Sequence, residues 1–158
     1  MLQTTFGSAA PSDIPRLVGL LALLFAQESE FSPNAEKQSE ALEAILQDRS
    51  RGRIFVAREA GQVVGMASLL YTISTAEGGK AALFEDFIVQ PEYRRKGIGT
   101  RLLEYVIQQA RAEGVLRITL LTDLQNDNAQ DLYRKLGFVN SSMQAMRLKL
   151  RDEEKKKA

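Results

Sequence analysis

The stretch Ile88-Val89-Gln90-Pro91-Glu92-Tyr93-Arg94-Arg95-Lys96-Gly97-Ile98-Gly99-Thr100 constrains this chain more than any other. An apolar strand stops at a proline turn and three cations follow. Gly-x-Gly then opens a helix, Gly97 to Glu113, whose Ile98, Leu102, Val106 and Ala110 fall in one stripe. Glycine lets a backbone approach a ligand closely, and the first amides of a helix have no intrahelical acceptor, so they favour an anion. Arg94, Arg95 and Lys96 add charge and Thr100 a hydroxyl, which together suit a pyrophosphate. A basic turn with two glycines is often only a turn, so the order of the surrounding elements carries the weight. Two other phosphate motifs fail. A dinucleotide-binding Gly-x-Gly-x-x-Gly needs glycine where Leu102 stands, and a P-loop needs a hydroxyl where Ala81 follows Gly79-Lys80.

Around this turn the hydrophobic period changes twice. Gln3 to Phe6 predicts a first strand. Pro11-Ser12-Asp13-Ile14-Pro15 predicts a helix start capped by Ser12 or Asp13, with Leu17, Leu20, Leu21 and Leu24 on the buried face. Phe31-Ser32-Pro33-Asn34 breaks that helix, and a second one follows with Leu42, Ile45 and Leu46 on one side, ending before Arg51-Gly52. From Arg53 the pattern suits strands: Ile54 to Ala57, a turn at Ala60-Gly61-Gln62, then Val63 to Tyr71. Ser74 to Lys80 reads as a loose connection and Ala81 to Val89 as the next strand. Beyond the helix at Gly97, Leu116 to Leu121 predicts a short strand and Asn128 to Leu136 a helix ended by Gly137. Phe138-Val139 and Ala145 to Leu150 predict closing strands, and Arg151 to Ala158 a solvated, mixed-charge tail. No repeat or linker divides the chain, so residues 1–150 form one expected domain.

Composition excludes several chemistries. The chain has no cysteine and no histidine, hence no disulfide, no thiolate nucleophile, no imidazole base and no cysteine- or histidine-based zinc site. No metal is expected. Acid–base work falls to Asp, Glu, Lys, Tyr or water. Twenty-one basic and 20 acidic residues leave a net charge of +1, so neither nucleic acid nor an anionic membrane is expected as a partner. Arg94-Arg95-Lys96 lacks the wider basic face and aromatic platform that nucleic-acid binding needs. The longest apolar run, Leu17 to Ala26, is half of what a bilayer requires and follows Asp13 rather than a basic n-region. A soluble, cytoplasmic protein is the expectation.

With these residues in place, the chain resembles the GNAT superfamily of N-acetyltransferases. Arg94-Arg95-Lys96-Gly97-Ile98-Gly99 is similar to that family's Arg/Gln-x-x-Gly-x-Gly/Ala signature. Asn126, Ala129, Tyr133, Gly137 and Phe138 stand at the positions of its second landmark. The resemblance implies an α/β (α+β) fold, a mixed and mostly antiparallel sheet flanked by helices. Acetyl-CoA would lie between two splayed strands, Leu83–Val89 and Leu116–Leu121. It implies that backbone groups of Phe87, Ile88 and Val89 meet the pantetheine arm. The Arg94–Thr100 turn, with Arg95, Lys96, Gly97, Ile98 and Gly99, would hold the pyrophosphate. Asn126 would contact the cofactor from the far side and Tyr133 would face its sulfur. Arg95 stands where many relatives carry glycine. Dimers are common in families that look like this, so a homodimer is among the implied assemblies.

The implied reaction acetylates an amine, and it needs the neutral amine. For a lysine-like amine of pKa about 10.4, neutralisation near pH 7 costs roughly 4–5 kcal/mol. A carboxylate can hold the ammonium and accept its proton, directly or through water. Tyr133 is the implied proton donor to the leaving thiolate, although its place on an apolar helix face also fits a core residue. Glu85 and Asp86 are adjacent acids in an apolar strand, and alternation sends them to opposite faces. Phe84-Glu85-Asp86-Phe87-Ile88-Val89 is similar to a segment of polyamine acetyltransferases in which the Glu serves the amine, which points to Glu85, with Asp86 or water as the alternative base. Glu28 and Phe31, near Glu30, would wall the acceptor site between the first two helices. Three functions stay open: a small-molecule amine N-acetyltransferase, a protein lysine or N-terminal acetyltransferase, and a silent acyl-CoA-binding regulatory module.

Overall fold

The computed structural model describes residues 3–28 and 30–151. Residues 152–158, most of the expected charged tail, lie outside the described residues. Five strands form one sheet in sequence order: β1 (Thr4–Ser8), β2 (Gly52–Glu59), β3 (Gln62–Ser74), β4 (Gly79–Val89) and β5 (Ile118–Leu120). The first four pair antiparallel and β5 runs parallel to β4, so the sheet is mixed and mostly antiparallel.

Four helices flank it: α1 (Ile14–Gln27), α2 (Ala35–Gln47), α3 (Ile98–Ala112) and α4 (Asp127–Lys135). Period-two alternation in β2 sorts the core into two layers. Ile54 and Val56 face Leu17, Leu20 and Leu21 of α1 and Leu42 of α2. Phe55 and Ala57 face Leu102, Leu103, Val106 and Ala110 of α3 on the other side. β3, at the centre, buries Val63, Val64, Met66, Ala67 and Leu69 on both faces, and so reads as a continuous apolar run.

Local chemistry fixes the element ends. β2 and β3 join through Ala60 (φ 48°) and Gly61 (φ 80°), a two-residue turn whose left-handed pair matches the twist of a hairpin. α1 begins at Asp13, whose carboxylate accepts from the Ala10 amide at 2.8 Å and from both terminal nitrogens of Arg58 at 3.0 and 2.6 Å. Asn34 caps α2 by accepting from the Lys37 amide. The C-terminal end of α3 is held to the sheet by Glu113, which accepts from Tyr71 and Arg53.

Three expectations need correction. Ser74 to Gly79 is a tight connection, closed by the Gly78 amide donating to the Ser74 carbonyl at 2.9 Å, because β3 and β4 pair right up to it. The strand expected over Leu116–Leu121 is only Ile118–Leu120. Phe138-Val139 and Ala145–Leu150 form no strand: Phe138 is half-buried and packs on Tyr133, Val139 and Ala145–Leu150 are exposed, and neither stretch has a ladder to the sheet. Its alternation is of the strand-forming kind, but a pattern cannot supply the neighbouring edge.

Candidate active site

The site begins where β4 and β5 part. They pair over only three positions, from Ala82 with Ile118 to Phe84 with Leu120. β5 then stops while β4 runs on to Val89, so the backbone from Glu85 onward has no strand on that side. A cleft between two separating parallel strands is the result.

Across the same stretch β4 is irregular on its other side as well. Ser68 pairs with Glu85 and Met66 with Ile88, so Asp86 and Phe87 together face the single residue Ala67. This is a β-bulge, and Asp86 takes its left-handed position at φ 55°. The bulge resets the alternation that the sequence suggests for the two acids. Glu85 is exposed, whereas Asp86 is drawn inward and its Oδ2 accepts from the Ser68 hydroxyl at 3.5 Å. Burial, and then the charges of Glu85 and Glu28, push the Asp86 carboxyl up to about 6.

The Arg94–Thr100 turn lies at the C-terminal end of β4. Arg94 folds back, its Nε donating to the Val89 carbonyl at 2.9 Å, which occupies one acceptor of the strand end. Arg95 (φ 63°) and Gly97 (φ 75°) are both left-handed, so the backbone curls sharply just before α3. Gly97 caps α3 without any side-chain cap, leaving the first-turn amides of Ile98, Gly99 and Thr100 open to an anion. A Cβ at Gly99 would lie 3.3 Å from the Phe87 ring, so glycine there lets the helix start press against β4. Lys96 reaches over the Tyr93 ring, its Nζ 5.4 Å from the centroid. The residues present fit a pyrophosphate.

Tyr133 of α4 closes the cleft from the β5 side. Its ring packs against Phe84 and Phe87, both at 6.3 Å between centroids, and against Phe138 at 5.9 Å. Burial, followed by the charge of Glu28, pushes its hydroxyl up to about 12, so it stays protonated at neutral pH. Glu28 is the C-cap of α1, and its own carboxyl is raised by burial and by the charges of Glu30 and Asp123. Glu28 thus couples electrostatically to Glu85, Asp86, Asp123 and Tyr133, which lie on three other parts of the fold. Phe31 packs on Phe25 at 5.8 Å, and Arg147 lies over its ring while pairing with Glu30 at 3.0 Å.

Most residues singled out in the sequence therefore meet at one place. Phe87, Ile88 and Val89 line the open side of β4, and Arg94 to Thr100 form the turn beside it. Asn126 serves as the exposed N-cap of α4, accepting from the Ala129 amide at 3.2 Å. The sequence reading does not reach Ser68 or Asp123. Ser68 is a buried polar residue in an otherwise apolar strand, and that signal is legible. Asp123 carries none. Among the described residues, no group of acids is arranged to hold a metal. No helix among them is long and apolar enough to cross a membrane.

A parallel strand pair opened beside an uncapped, glycine-bearing helix start is the architecture of an acyl-CoA-dependent transferase. The chain belongs to the acetyltransferase (GNAT) family, whose profile matches residues 20–138, and it is accordingly an acetyl-CoA-dependent N-acetyltransferase. It is 33% identical over 121 residues to the uncharacterized N-acetyltransferase YhfO of Bacillus subtilis, a match covering 75% of this chain and 80% of that one. It is 32% identical over 99 residues to glucosamine 6-phosphate N-acetyltransferase of Trypanosoma brucei brucei, covering 62% of this chain and 65% of that enzyme. Among solved structures, an integron cassette protein from the mobile metagenome of Cole Harbour Salt Marsh superposes with a TM-score of 0.81. That match is 28% identical and covers 94% of this chain and 91% of the other.

Proposed function

We propose that this protein acetylates a primary amine of a small, cationic molecule, by direct transfer while amine and acetyl-CoA are bound together. The observation that carries this reading is the convergence of Glu28, Glu85 and Asp86 on the cleft beside Tyr133. Three carboxylates around one opening raise the local concentration of a cation and favour its binding. The naming of the trypanosomal relative for an amino sugar supports the choice of a small acceptor.

When bound, acetyl-CoA supplies the acetyl group as a thioester. The backbone curl at Arg95–Thr100 holds its pyrophosphate, and the open edge of β4 at Phe87 and Ile88 aligns its arm. Glu28 and the exposed Glu85 gather the ammonium. Asp86, at about 6, is mostly ionised at pH 7 to 8 and takes the proton that the amine must lose. A carbon–nitrogen bond forms and the carbon–sulfur bond breaks. The Tyr133 hydroxyl, held protonated by its burial, donates to the departing sulfur and recovers a proton from solvent. With no cysteine or histidine in the chain, nothing needs to carry the acetyl group in between.

A thiol-release assay against polyamines, amino sugars, amino acids, aminoglycosides and lysine peptides tests this reading. Turnover of small cationic amines with intersecting initial-rate plots is the expected result. Turnover of peptides alone would assign the protein to lysine or N-terminal acetylation. Parallel plots or an acetylated enzyme detected by mass spectrometry would exclude direct transfer.

A further inference from the structure

Ser68 is the one hydroxyl in the buried run from Val63 to Leu69 of β3, and it is 0% exposed. Burying a hydroxyl costs free energy unless it is hydrogen-bonded, and alanine would fill the place without that cost. Among the described residues, the other buried polar side chains are bonded within the scaffold. Glu59 accepts from the Thr4 hydroxyl between β1 and β2, and Ser74 accepts the Glu77 amide at 3.1 Å in the β3–β4 connection. Ser68 is bonded into the site instead. Its hydroxyl donates to Asp86 Oδ2, which is the single hydrogen bond of that carboxylate among the described residues.

We propose that Ser68 is a positioning residue for the acetyl transfer: it ties one oxygen of the Asp86 carboxylate, leaves the other to the amine, and favours the ionised form that can take a proton. The inference rests on Asp86 being the base, as proposed above. Ser68 pairs with Glu85 just before the bulge, so the extra residue that follows falls within reach of its hydroxyl. Asp86 is left-handed at φ 55°, the strained point of the bulge, and a second attachment through its side chain fixes the carboxylate there. The distance of 3.5 Å is long for an O–H···O bond, and catalytic hydrogen bonds that are long in a free enzyme commonly tighten when substrate binds. Everything else that acts on Asp86 opposes its charge. Burial, Glu85 on its own strand and Glu28 at the end of α1 all favour the neutral acid, and no cation among the described residues offsets them. The Ser68 hydroxyl acts the other way, because a donor holds a carboxylate more strongly than a neutral acid. In the reaction the ammonium proton passes to Asp86 Oδ1, and Ser68 keeps its own.

Ser68→Ala in the full chain removes the hydroxyl and keeps a small apolar side chain on the strand. With the best amine from the thiol-release screen, the acid limb of kcat/KM against pH should move to higher pH. The variant should lose about fivefold or more at pH 6 and much less at pH 8.5, with the acetyl-CoA Kd unchanged. Ser68→Thr, which restores a hydroxyl, should bring the limb back. A second readout needs no substrate. Carboxyl ¹³C NMR of aspartate-labelled chains, with the Asp86 signal identified by its loss in Asp86→Asn, should show Asp86 titrating at higher pH in Ser68→Ala than in the unmodified protein. A limb and a titration that both stay in place would overturn the proposal. So would an equal loss of kcat/KM at every pH, which marks a packing role. A titration that moves while the limb stays would show that the contact is real and that Asp86 is not the base, so that failure is told apart from failure of the contact itself.

Discussion

Replacing Asp86 by asparagine should make the protein more stable at alkaline pH while disabling it. In the folded chain the Asp86 carboxyl titrates at about 6, against an ordinary value of 3.8. A raised acid holds an extra proton in the folded state, so stability is greatest below pH 4, falls as pH rises toward 6, and stays low above it. The difference of about 2.2 pH units corresponds to about 3 kcal/mol, most of it from burial and the rest from Glu85 and Glu28. The carboxamide of the Asp86→Asn variant stays neutral at every pH. It also keeps the bulge, since asparagine tolerates the left-handed φ of 55° as well as aspartate does. Urea unfolding at pH 4 and pH 8 measures the effect. Asp86→Asn should come close to the unmodified protein at the lower pH and exceed it by up to about 3 kcal/mol at the higher. Its kcat/KM for the amine should fall most at neutral pH and recover in part as solvent frees more neutral amine. A variant that is equally or less stable at pH 8 would refute the reasoning, because the carboxylate would then not be strained by its surroundings.

Two further outcomes follow from the same geometry. Gly99→Val would force side-chain atoms onto the Phe87 ring, where even a Cβ stands at 3.3 Å. Calorimetry should show at least tenfold weaker acetyl-CoA binding, about 1.4 kcal/mol, in a folded variant; unchanged affinity would remove the pyrophosphate assignment. Glu28→Gln deletes a charge that raises Asp86, so the acid limb of kcat/KM against pH should move below 6. A limb that stays in place would mean that the two groups do not act in one site.

Much of this site can be read from the linear sequence because its parts are local. Gly97 and Gly99 announce the helix start, the preceding cations suit the proposed anionic ligand, and Tyr133 follows Asn126 at helical spacing. The bulge at Asp86 is not legible. Alternation puts Glu85 and Asp86 on opposite faces and the resemblance points to Glu85, whereas only the pairing of Ser68 and Met66 shows that one residue is extra. Glu28, 57 positions before Glu85, is assigned to the acceptor wall by the resemblance alone, because its coupling to Glu85 depends on how α1 packs across the sheet. The arm beyond Phe138 shows the opposite case. Its alternation is plain, yet it forms no strand of the sheet, because a pattern specifies a face and cannot supply a neighbouring edge.

The proposed mechanism routes the proton for the departing thiolate through Tyr133, whose ring is packed by Phe84, Phe87 and Phe138. Tyr133→Phe keeps the ring and removes the proton donor. With the best amine from the thiol-release screen, kcat should fall about a hundredfold or more while the acetyl-CoA Kd and the unfolding midpoint stay near those of the unmodified enzyme. Full turnover in Tyr133→Phe, with reduced stability, would make the tyrosine a core residue and leave the departing thiolate to solvent.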